Sequence, residues 1–116
     1  MVSGWQEPVQ HTEHSLVVEL GKYQLSPEVK AVLRELVDFS AANGEVVRTY
    51  MDDGSDMTAQ VHKSTYDDVV RMKTEGVDPC VRQLAHDVAR FSYRHGFDYP
   101  GVKVERKFSR LLAALE

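Results

Sequence analysis

Residues 45–63, "EVVRTYMDDGSDMTAQVHK", decide the architecture. Read by alternation, Val47, Thr49 and Met51 share one face and Met57, Ala59 and Val61 another, with an Asp-Asp-Gly cluster between them. That is the pattern of a β-hairpin. The register selects the loop: a two- or four-residue turn pairs Arg48 with Ala59 and forces it onto the apolar face. A loop of odd length, 52–54 or 52–56, avoids this, with Gly54 left-handed at the tip. Arg48, Tyr50, Thr58, Gln60 and His62 then share the wetter face.

Upstream, Ser26 caps and Pro27 opens an amphipathic helix whose inner face carries Val29, Val32, Leu33, Leu36 and Val37, with Gly44 as its stop. Before it, "SLVVEL" alternates Leu16, Val18 and Leu20 and reads as a short strand. Downstream, Ser64 and Asp67 form a capping-box pattern ahead of a helix ending near Gly76. Asp78 and Pro79 open another, stopped by Gly96, with Val81, Leu84, Ala85, Val88 and Phe91 inward. "YPG" at 99–101 suits a type II turn. Val104, Phe108, Leu111, Leu112 and Leu115 fall at helical spacing, although 102–107 also fits a strand. The expected fold is α+β, in the order β-α-β-β-α-α-α: a three-stranded sheet with a hairpin, packed against four helices. Residues 1–13 are expected to be irregular, with Trp5 docked, and 14–116 to form one domain.

The 116 residues, 42% hydrophobic and 28% charged, suit one globular domain with its own core. A single cysteine, Cys80, rules out an internal disulfide and points to a reducing compartment. No apolar run approaches the roughly 20 residues of a membrane span, and the first residues lack a signal-peptide pattern. A cytoplasmic protein without membrane contact is expected. Charge is segregated: residues 1–78 carry −7 and residues 79–116 carry +3, for a net −4. The halves are suited to attract each other, and the acidic total disfavours nucleic acid at long range.

Within 90–101, "RFSYRHGFDYPG", helical geometry separates the aromatic residues. Phe91 continues the inner face, whereas Tyr93 lies about 200° round and points away. Arg82, His86 and Arg90 join Tyr93 at spacings of three and four, a basic stripe with an aromatic anchor. Lys103, Arg106, Lys107 and Arg110 form a second stripe opposite the C-terminal leucines. Arg48, Tyr50 and His62 offer secondary contacts.

Catalytic and metal motifs are weak. His11 and His14 lack a third ligand. Asp52, Asp53 and Asp56 miss the alternating oxygen pattern and closing glutamate of a calcium loop. A helix-turn-helix centred on Gly76 would bury Arg71, Glu75 and Arg82. Cys80 has no histidine within a turn, and no phosphate-binding glycine loop is present. The sequence therefore points to a non-enzymatic interaction module without a cofactor: a small regulator, adaptor, inhibitor or assembly factor. It would bind an acidic or mixed protein surface through the basic and aromatic stripes. Nucleic-acid binding by the basic C-terminal helices is the alternative. A small metal-dependent hydrolase using His62, His86 and an aspartate comes after it. The closing "LLAALE" also allows a homodimer through the last helix.

Overall fold

The computed structural model describes residues 11–54 and 56–116, the side chains of 56–64 excepted. Among these residues every element is a helix: α1 Glu13–Leu20, α2 Pro27–Asp52, α3 Asp56–Lys73, α4 Pro79–Asp98, α5 Val104–Lys107 and α6 Ser109–Ala114. The expected α+β fold and its three-stranded sheet are thus replaced by an all-helical one. Trp5, most of the expected irregular segment and the side chain of His62 lie outside the described residues.

The hairpin reading fails because alternation over a few residues fits either period. Val47 is buried one turn beyond Gly44, continuing the face of Leu33, Leu36, Val37, Ser40 and Ala41. Thr49 and Met51, its supposed companions, are exposed. A helix already running gains one hydrogen bond for each residue added, whereas an isolated hairpin is marginal. Gly54 is left-handed, φ 80°, as its position required. It stands between two helices, not two strands. Because α3 begins at Asp56, Ser64 lies inside the helix and not at its cap.

The first expected strand fails in the same way. Leu16 and Leu20, four apart, are buried, while Val18 between them is 48% exposed. Thr12 and Ser15 close a reciprocal capping box that starts α1.

Gly44 and Gly96, read as stops, both lie inside helices. They mark where α2 and α4 touch. A Cβ at Gly44 would stand 2.0 Å from the Tyr93 carbonyl oxygen, and one at Gly96 2.2 Å from that of Ala41. Ser40 and Ala41 on α2, and Ala85, Ala89 and Ser92 on α4, are likewise small and buried.

Phe108, Leu111 and Leu115 are wholly buried and close the core. Residues 104–107 are helical, which settles the strand alternative, and the chain bends at Phe108 before α6. The ends are tied by charge. The Glu13 carboxylate accepts the backbone N–H groups of Arg110 (3.1 Å) and Leu111 (3.0 Å) at the start of α6. Arg34 and Lys30 donate to the carbonyls of Leu115 and Glu116 at its end. Among the described residues, no helix is long and apolar enough to cross a membrane.

Candidate functional site

Helices α3 and α4 both lie on α2, yet among the described residues their backbones barely meet. Tyr66 bridges the gap. Its hydroxyl donates to the Ala89 carbonyl at 2.9 Å, and its ring meets Tyr93 at 4.7 Å and stacks on Phe39 at 5.8 Å. Burial pushes the Tyr66 pKa up to about 12, so the phenol stays a donor at neutral pH. Farther along, the Thr74 hydroxyl stands 3.4 Å from His86 Nε2.

Between these bridges lies a groove of about 530 Å³. Tyr66, Val70, Ala89 and Tyr93 supply its apolar lining, and Asp67, Arg71, His86 and Arg90 its polar groups. An apolar concavity with a few convergent polar groups is the usual form of a binding site. Arg71 pairs with Asp68 and Arg90 with Asp87, each along its own helix. The Arg71 pair is exposed on both sides and contributes only about 0–1 kcal/mol, so that guanidinium can exchange partners readily; Asp87 is half-buried, but the Arg90 guanidinium itself remains exposed. Burial, reinforced by Arg90, lowers the His86 pKa against the pull of Asp87. Burial, with Asp67 nearby, raises that of Tyr93.

Thus the α4 stripe reaches the groove through His86, Arg90 and Tyr93. Arg82 is exposed on the same helix, close enough to His86 to affect its ionisation. Tyr93, expected to point into solvent, is half-buried against Tyr66. Phe91 packs inward on Phe108, as its spacing required.

The second stripe does not join the first; none of its residues lines this groove. The Lys107 side chain is 3% exposed, with Nζ 2.8 Å from Glu45 Oε1 and 2.9 Å from the Tyr99 carbonyl. It is a structural cation. Lys103 lines a separate 260 Å³ hollow beside Ala41, Ala42 and Glu45. Arg106 and Arg110 are exposed.

Of the secondary set, Arg48 is engaged at the other end of α4. It donates to the Phe97 carbonyl at 3.0 Å, pairs with Asp52, and covers the Phe97 ring at 5.4 Å. Tyr50 is half-buried.

Sequence reasoning missed Tyr66, Asp67, Val70 and Arg71 as groove residues. Tyr66, Val70 and Thr74 are spaced by four and all buried, a signal that was available.

One other cluster resembles catalytic chemistry. His11 Nδ1 lies 3.0 Å from Ser15 Oγ, and His11 Nε2 lies 3.4 Å from Asp87 Oδ2. Ser15 Oγ, however, accepts from the Thr12 N–H and donates to the Thr12 carbonyl, so it is occupied by the α1 cap. Asp87 also accepts from Gln83 and Arg90. The cluster fastens the start of α1 to α4. Among the described residues, no three His, Cys, Asp or Glu side chains gather as a metal site. Cys80 is exposed, and its N–H is capped by Asp78. No protein-family model, curated protein or solved structure matches the chain.

Proposed function

We propose that this protein is a non-enzymatic interaction module, a small regulator, adaptor, inhibitor or assembly factor, that grips a partner protein in the α3–α4 groove. The observation that carries the reading is the groove itself: an apolar floor of Tyr66, Val70, Ala89 and Tyr93 with arginine on both walls. Tyrosine and arginine around a desolvated centre are the residues on which interface affinity concentrates. Tyr66 is braced by Phe39 and the Ala89 carbonyl, and Tyr93 leans on it, so little side-chain freedom is lost on binding. Among the described residues, the Ser15 hydroxyl of the triad-like cluster serves the helix cap, which favours binding over hydrolysis.

The test is affinity capture from the native host with the intact chain and with Arg71→Glu and Arg90→Glu. Both residues are exposed, so reversal should move the thermal midpoint by no more than a few degrees. The reading expects the same proteins to be captured by the intact chain and lost from both variants. An unchanged set of captured proteins refutes it.

A further inference from the structure

We infer that the occupant of this groove is an acidic amphipathic helix of a partner protein, two turns of which lie along α3 and α4. The inference rests on the interaction reading above and specifies the partner's chemistry. Both walls are helices, whose backbone groups are bonded internally, so the groove offers no ladder for an extended peptide. A helix needs only side-chain pockets. From His86 to Tyr93 the α4 wall runs about 10 Å, the rise of two helical turns. Apolar side chains at i, i+4 and i+7 span that distance along one face. Tyr93, half-buried, and the remaining open edges of Tyr66 and Val70 would receive them.

Charge sets the flanks. Arg71 stands on the α3 wall, with Arg90 on the α4 wall and Arg82 beyond His86. Each groove arginine makes one short-range ion pair along its own helix, leaving most of its five donors for an incoming carboxylate. Carboxylates on both sides of an apolar stripe satisfy both walls. Asp67 then asks for a single donor on the α3 side. Nucleic acid fits less well: Asp67, Asp68 and Asp87 stand among these arginines and would meet an unbroken run of phosphates, whereas a helix can set its carboxylates opposite the arginines alone.

The experiment pans a phage-displayed library of random 16-residue peptides, in a helix-favouring frame, against the full-length protein. Enriched peptides are expected to carry apolar residues at i, i+4 and i+7 with Asp or Glu on both flanks. A synthetic copy of the strongest should bind at least about tenfold more weakly to Arg71→Glu and to the milder Arg90→Gln. Circular dichroism confirms that both variants fold. Basic or extended winners, no enrichment, or equal binding to the variants overturns the inference. So does a labelled single-stranded 20-mer DNA that binds at low salt and loses binding in the same variants. If host proteins are lost from Arg71→Glu but no acidic helix is enriched, the groove stands and only its occupant is wrong. If capture from the host is unchanged, the groove assignment itself falls.

Discussion

Replacing Gly44 with alanine separates two opposite expectations for a glycine inside a helix. On an open helix face, Gly→Ala stabilises by about 1 kcal/mol, because alanine loses less backbone freedom. At Gly44 the new methyl would lie 2.0 Å from the Tyr93 carbonyl oxygen and 2.8 Å from the Phe97 nitrogen. Both are α4 backbone atoms, which no rotamer change can move aside. Side-chain contacts begin near 3.0 Å, so α2 and α4 must part by about 1 Å. Overpacking of this kind costs about 1–3 kcal/mol, and the packing around Ala41 and Ala89 loosens with it. With two backbones in collision the upper end applies. After the propensity gain, about 2 kcal/mol of destabilisation remains, or about 8 °C in the thermal midpoint. Urea unfolding by circular dichroism measures it. Two controls isolate the cause. Gly76 has open space and no left-handed backbone, so Gly76→Ala should change stability by less than about 0.5 kcal/mol. Gly54 has open space but φ 80°, so Gly54→Ala should lose about 1 kcal/mol from backbone strain alone. A Gly44→Ala chain as stable as the original refutes the close crossing.

Three further outcomes follow from buried charge. The His95 ring packs on Phe91, Tyr99 and Phe108, and burial holds its pKa below the ordinary 6.5 despite the opposing pull of Glu13; His86 is lowered likewise. The unfolded chain therefore takes up protons first as pH falls through about 6.5, and stability, complete above that pH, declines until the folded-state pKa values are reached. The urea midpoint should be lower at pH 5.5 than at pH 7.5, with a smaller drop in His95→Gln; a midpoint that rises on acidification contradicts this. Glu45→Ala leaves the Lys107 ammonium buried with the Tyr99 carbonyl and the Phe108 ring, releases the Gly101 N–H, and should cost about 2 kcal/mol in urea unfolding. Lys107→Met removes the buried charge itself and should cost less; the reverse order refutes the assignment. Glu13→Ala removes the acceptor of two α6 N–H groups and should cost about 1 kcal/mol, with faster amide exchange at Arg110 and Leu111.

The helices at 27–44 and 79–95 were legible because each combines a side-chain cap, an early proline and a sustained apolar face. What misled was punctuation. Gly44 and Gly96 have the composition of stops, but their lack of a side chain serves contact with another helix, which local sequence does not reveal. Once Gly44 is taken as an end, the eight residues after it must belong to something else, and alternation supplies a strand. Leu16, Val18 and Leu20 form too short a run to distinguish a period of two from one of four. The site was half legible. Helical geometry placed His86, Arg90 and Tyr93 together, but Tyr93 is half-buried because Tyr66 comes from α3 to meet it. Lys107 illustrates the limit of charge patterning, for its stripe looked solvated while Glu45, distant in sequence, drew it inward.

Site-specific photo-crosslinking inside host cells tests the groove most directly. A photoreactive phenylalanine analogue is placed singly at Glu75, Arg94, Arg106 or Lys103, all exposed; the first two stand one turn beyond Arg71 and Arg90 and leave both arginines intact. The account predicts that Glu75 and Arg94 capture one common partner band and that Arg106 and Lys103 do not. Capture from Arg106 or Lys103, with none from Glu75 and Arg94, would contradict it.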